Sequence, residues 1–183
     1  MEKRRWIFEK LWLIIRYIII AVAMVFLIRG FLLIPIEVEG NSMEGTLKQG
    51  DMILMEKITP IKRFDVVLFQ LSDGNTYIKR VIGLPGDKIE YEKDQLYING
   101  KKIEEPFLAN EAKNSEEKMP YTTNFTLENL LGMRKLPEDS YFVMGDNRRV
   151  SKDSRSFGVV TSQDIFGKAR FVYYPFNKIK VIS

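Results

Sequence analysis

The stretch Lys88-Ile89-Glu90-Tyr91-Glu92-Lys93-Asp94-Gln95-Leu96-Tyr97-Ile98-Asn99-Gly100 decides the fold class. Two short runs rich in β-branched and aromatic residues flank Lys93-Asp94, the signature of an antiparallel hairpin, and Asn99-Gly100 marks a second tight turn. Similar segments lie on both sides of it. Toward the N-terminus come Tyr77 to Ile82, Asp65 to Phe69, Asp51 to Met55 and the alternating Ile34-Pro35-Ile36-Glu37-Val38-Glu39. Toward the C-terminus come Tyr141 to Met144 and Lys168 to Tyr173. Each is a short apolar run bounded by turn residues, and none sustains a 3.6-residue period. The sequence therefore predicts a mainly β, antiparallel domain over residues 34–183. Residues 104–139 read as a polar insertion or a small cap on the sheet, with one helical turn near Thr126 to Leu131.

The N-terminus is different in kind. From Leu11 to Leu33 nearly every residue is apolar, interrupted by Arg16 and Arg29. A bilayer-spanning helix needs about 20 such residues, and long basic side chains near its ends can reach the headgroups. A cleaved leader has a shorter apolar stretch, roughly 7 to 15 residues, and then small residues. Here Phe31-Leu32-Leu33-Ile34-Pro35 follows, with no Ala-x-Ala triplet. Residues 11–33 are therefore expected to be a retained transmembrane helix, with Trp12 and Tyr17 near one interface.

Of 28 Lys/Arg and 24 Asp/Glu in the 183 residues, six basic and two acidic ones fall in residues 1–33, leaving 22 of each elsewhere. The net charge of +4 thus belongs to the N-terminal flank and does not indicate nucleic-acid binding. The positive-inside rule makes residues 1–10 a cytoplasmic tail and residues 34–183 an extracytoplasmic domain. The chain has no Cys and no His. That composition removes the usual zinc and copper sites, cysteine-protease chemistry and the Ser-His-Asp triad. Any catalysis must use Ser, Thr, Lys, Tyr or carboxylates.

Three segments carry candidate chemistry. In Glu39-Gly40-Asn41-Ser42-Met43-Glu44-Gly45-Thr46-Leu47, Ser42 reads either as a turn hydroxyl or as a nucleophile. In Tyr77-Ile78-Lys79-Arg80-Val81-Ile82-Gly83-Leu84-Pro85-Gly86-Asp87, strand alternation sends Lys79 and Arg80 to opposite faces. Lys79 is either a solvated edge lysine or a desolvated amine held well below its ordinary pKa of about 10.4. A neutral amine can take a proton from a serine hydroxyl. The third, Gly145-Asp146-Asn147-Arg148-Arg149-Val150-Ser151-Lys152-Asp153-Ser154-Arg155-Ser156-Phe157-Gly158, is a loop. It is either solvated or a hydrogen-bonded scaffold, and Asp153 and Arg155 are close enough to pair.

These segments, in this order after an apolar span, resemble the bacterial type I signal peptidases, especially the short Gram-positive form. Asn41-Ser42-Met43 with Thr46-Leu47, Gly50-Asp51, Lys79 to Asp87 and Gly145 to Gly158 carry the likeness. The resemblance implies a Ser-Lys dyad, with Ser42 as nucleophile, its backbone N–H as oxyanion donor, and Lys79 as general base. It implies that Ser151 hydrogen-bonds the lysine, that Asp153 and Arg155 support the site, and that Asp146 and Asn147 shape the loop. Met43, Leu47, Tyr77 and Ile78, with Ile36 and Val38, would line shallow pockets that accept Ala-x-Ala. The implied enzyme is a single-pass cell-membrane peptidase with its catalytic domain on the outer face. It would need no cofactor or metal, and its partners would be preproteins with signal peptides and the lipid bilayer, not nucleic acid. Two positions depart from the pattern. Gly45 stands where the family usually has Pro, and Gly40 where some members have a Ser that helps hold the oxyanion. The rival readings are a self-cleaving Ser-Lys repressor, which would need a DNA-binding N-terminus, a non-catalytic anchored relative, and an organellar member of the same family.

Overall fold

Strand-forming segments spaced at short intervals leave the chain few ways to bury them except as antiparallel sheets. A computed structural model shows two such sheets, and it describes residues 2–31, 33–108 and 120–182. The chain forms two units, one running to Ile34 and the other from Pro35 to Ser183.

The first unit is essentially one helix, α1 (Glu2–Phe31), 30 residues long. Its apolar side chains from Leu11 to Val25 are exposed on all sides, Trp12 at 68%. Among the described residues, no helix is long and apolar enough to cross a membrane.

Strand β1 (Leu33–Glu37) carries the chain into the second unit, which continues with β2 (Met52–Glu56), β3 (Val66–Gln70) and β4 (Thr76–Gly83). The hairpin strands β5 (Ile89–Glu92), β6 (Gln95–Ile98) and β7 (Lys101–Ile103) follow. Then come β8 (Phe125–Thr126), α2 (Leu127–Leu131), β9 (Ser140–Met144), α3 (Ser154–Phe157), β10 (Val160–Thr161), β11 (Ile165–Tyr174) and β12 (Lys180–Val181). The larger sheet runs β1-β2-β11-β3-β4-β9-β10, with β12 also on β11, and the smaller runs β7-β6-β5-β8.

The Lys93-Asp94 hairpin forms as expected, with Ile89 opposite Ile98 and Glu92 opposite Gln95. Lys93 (φ 49°) and Asp94 (φ 62°) both take the left-handed region that a two-residue turn of this hand requires. Ile89, Tyr91, Leu96 and Ile98 alternate inward and join Ile82, Phe142 and Met144 in one core. The polar stretch 104–139 is tied into that core. Its β8 pairs with β5, Thr126 caps α2 by accepting a bond from Asn129 N, and Leu127 and Leu136 are buried. Residues 109–119 of the stretch lie outside the described residues.

Strands β4 and β9 carry two cores at once. Ile82, Phe142 and Met144 face the hairpin core, while Val81 and Val143 face a second core with Val67, Phe69 and Val160. This two-sided burial places Lys79, which shares parity with Val81, on one dry face and Arg80 on the other.

Candidate active site

Val38 and the turn after it set the first element of the site. Val38 N donates to Asp51 O and Gly50 N donates to Val38 O, both at 2.9 Å, closing residues 39–49 into a loop. Within it, Thr46 N (3.0 Å) and Leu47 N (2.8 Å) donate to Met43 O. Met43 and Leu47 are buried and hold the turn down. Gly45 has φ +103°, which the proline ring, fixed near −65°, cannot adopt. The turn is therefore a different one from that which a proline at this position would make. Its effect is to leave Ser42 half-buried at the edge of a cleft.

Lys79 Nζ lies 2.6 Å from Ser42 Oγ and donates to Ile78 O at 3.0 Å. Lys79 is only 3% exposed because β4 lies between β3 and β9. Burial lowers its pKa from 10.5 to about 8, against the opposing pull of the Asp153 and Asp146 carboxylates. The solvated-edge reading of this lysine is thereby excluded. Its neighbour Arg80, fully buried, binds Asp146 through two hydrogen bonds of 2.9 and 2.8 Å and also donates to Phe64 O and Thr46 Oγ1.

The loop after β9 supplies the third element. Asn147 N donates to Ser42 O at 3.1 Å and Asn147 Nδ2 to Asn41 O at 3.3 Å. Gly145 allows this approach, since a Cβ there would lie 2.4 Å from Ser42 O and 2.2 Å from Ser151 Oγ. Asp153 caps α3, receives Arg155 Nε and Nη2 at 2.8 Å each, and accepts from Gly145 N at 3.1 Å. The expected Asp153–Arg155 pair therefore exists and binds the two ends of the loop together. Ser151 differs from expectation. Its Oγ is buried without a hydrogen-bond partner among the described residues, so it does not bond Lys79 here.

A cleft of about 680 Å³ opens beside Ser42 and Lys79. Ile36, Val38, Met43, Tyr77 and Ile78 line it, as the sequence reading anticipated. Leu47 does not, being buried beneath the turn at 0% exposure. Leu68, Val150 and Lys152 also line it and were not anticipated. Leu68 sits opposite Ile78 in the β3–β4 ladder, a register that only the paired strands reveal. Arg80 was read only as the residue pointing away from Lys79. Its partner lies 66 positions along the chain, and no local signal names it.

The family model described as signal peptidase, peptidase S26, matches residues 11–174. A signal peptidase I of Bacillus amyloliquefaciens is 45% identical over 168 residues, covering 89% of this chain and 88% of that protein. A signal peptidase IB of Staphylococcus aureus is 37% identical over 171 residues, covering 89% of each. A crystal structure of a signal peptidase I from Enterococcus faecalis V583 superposes with a TM-score of 0.59 at 43% identity, covering 61% of this chain and 98% of that one. With the family model spanning most of the chain and such relatives matched along nearly their full length, the chain belongs to the signal peptidase family, peptidase S26, among its bacterial type I members.

Proposed function

We propose that this protein is a membrane-anchored endopeptidase that removes signal peptides from exported preproteins, with Ser42 as nucleophile and Lys79 as general base. The observation that carries the reading is the 2.6 Å approach of a buried lysine amine, its pKa held at about 8, to a serine hydroxyl at a cleft edge. Membership of the signal peptidase family supplies the substrate class.

The reaction is acyl transfer. The neutral Lys79 amine takes the Ser42 proton as Oγ attacks the peptide carbonyl, then gives that proton to the leaving amine. The same amine activates the water that hydrolyses the ester. Ser42 N–H makes no hydrogen bond among the described residues and serves as oxyanion donor. On β4, Val81 N donates to Asp65 O and Val81 O accepts from Phe64 N on the β3 side, so Ile78, of the opposite parity, turns its peptide groups the other way, toward the cleft beyond the end of β9. There they receive an extended substrate as an added strand. Ile36, Val38, Met43 and Ile78 give the cleft an apolar lining, and the small side chains of an Ala-x-Ala segment are the ones assigned to it.

Residues 11–33 act as the anchor, with residues 1–10 cytoplasmic and residues 34–183 on the outer face. Support comes from the 30-residue length of α1, its apolar side chains exposed all round, and its basic N-terminal flank. Anchoring confines the site to the surface where an exported chain presents its cleavage point.

The test is cleavage of an Ala-x-Ala preprotein by wild type, Ser42→Ala and Lys79→Arg in vesicles. Both variants should be inactive and folded, since guanidinium keeps its proton near neutral pH. Normal processing by Ser42→Ala overturns the reading.

A further inference from the structure

Three aromatic rings form a closed cluster beneath the cleft. Phe69 on β3 lies opposite Tyr77 on β4, their rings stacked at 5.8 Å and 23°. Phe157, the last residue of α3, stands 5.9 Å from Phe69 and 5.8 Å from Tyr77. Over the Tyr77 ring, 5.6 Å from its centroid, sits Lys79 Nζ. Tyr77 and Lys79 are two residues apart on one strand, so the pleat sets ring and amine side by side. Phe157 is not among the residues that line the cleft.

We propose that Phe157 is a positioning residue for Lys79, holding the Tyr77 ring at the angle from which its face meets the lysine amine. The proposal rests on the reading of Lys79 as the base. An aromatic face attracts a cation through its quadrupole when the cation lies within roughly 6 Å of the centroid. The three centroids lie 5.8, 5.8 and 5.9 Å apart, a nearly equilateral triangle, so Phe69 and Phe157 touch each other and together brace the Tyr77 ring from adjacent directions. Phe157 is itself placed by α3, whose cap is Asp153 bound to Arg155. The cap of a four-residue helix thus reaches the amine through two rings.

The groups around that amine come from every neighbouring element. Ser42 faces it from the nucleophile turn, and Asp146 and Asp153 act on it from the loop after β9. Those carboxylates are bound to Arg80 and Arg155, while Glu37, Glu39 and Lys152 line the same cleft. Replacing Phe157 changes the charge of none of them. An oriented ring favours the ammonium form, so releasing it lowers the pH at which Lys79 titrates. A merely structural role for Phe157 predicts the opposite, because loosening admits water and raises that pH.

The experiment follows the Lys79 titration directly by NMR, with lysines labelled at Cε, in the full chain in detergent micelles. It uses the Ser42→Ala background and identifies the Lys79 signal by its loss in Lys79→Arg. Phe157→Leu should lower the midpoint by roughly half to one pH unit. Tyr77→Leu should do the same, the double variant should go no further than either, and Phe157→Tyr should restore the original midpoint. A midpoint that stays or rises in Phe157→Leu, or shifts that add in the double variant, overturns the proposal. Should Phe157→Leu not fold, an unmoved midpoint in Tyr77→Leu overturns it equally. None of these readings needs turnover. A failure of the base assignment shows separately, as preprotein cleavage retained by Lys79→Arg.

Discussion

Arg80 and Asp146, 66 residues apart in the chain, meet in two parallel hydrogen bonds where their side chains are 0% and 1% exposed. A bidentate arginine–carboxylate contact fixes angle as well as distance. It clamps β4, which carries Lys79, to the start of the loop that touches Ser42. Asp146→Ala strands a guanidinium in a dry site and should destabilise the fold by about 3–5 kcal/mol in chemical denaturation. The exposed pair Arg134–Glu128, at 85% and 61%, provides the contrast, and Glu128→Gln should cost under about 1 kcal/mol. Equal losses at the two pairs would contradict this account.

Activity should follow deprotonation of Lys79. With its pKa at about 8, kcat/KM should rise with pH along a limb centred near that value. The Asp153 carboxylate pulls the same pKa upward, so Asp153→Asn should move the limb to lower pH. The check is a pH–rate profile of both proteins on a peptide substrate. A limb that moves to higher pH in Asp153→Asn refutes the electrostatic assignment.

The same group makes stability depend on pH. Below pH 8 both folded and unfolded chains hold the Lys79 proton, and the folded one bears the cost of a buried charge. Between about 8 and 10.5 the unfolded chain binds that proton and the folded chain does not, so stability from this group rises with pH. The span corresponds to about 3 kcal/mol. Lys79→Met lacks the slope. Its stability relative to wild type should be greatest below pH 8 and should shrink as pH approaches 10.5, as read from urea midpoints across that range.

Gly145 is a spacing device between two loops. A methyl group at its Cα would meet Ser42 O at 2.4 Å and Ser151 Oγ at 2.2 Å. Gly145→Ala should push the 145–158 loop off the nucleophile turn, break the Asn147 N to Ser42 O bond, and cost about 1–3 kcal/mol. Cleavage should fall far more than the stability loss explains. Unchanged turnover in this variant would show that the loop contact does not orient Ser42.

Much of this was legible in the chain because the deciding signals are local. The two-residue turn at Lys93-Asp94 sets a hairpin by backbone conformation alone, whatever surrounds it. The packing of the stretch 104–139 was not legible for the complementary reason. Its composition is polar, yet Phe125, Leu127 and Leu136 find apolar partners on β5 and β9, and sparse contacts of that kind leave no periodic mark.

The site divides the same way. By itself the sequence determined that Lys79 and Arg80 point to opposite faces, since side-chain alternation belongs to any strand. It also determined that Asp153 and Arg155 can pair, being two residues apart. Tertiary structure alone decided that both faces of β4 are dry, because burial depends on what a second layer lays over each. It sent Leu47 under the turn rather than into the cleft, and left Ser151 Oγ beside Gly145 without a hydrogen-bond partner among the described residues. It also brought Ser42, 37 residues away, to 2.6 Å from the Lys79 amine. Parity and turn geometry act between neighbours in the chain, whereas desolvation and distance act between neighbours in space.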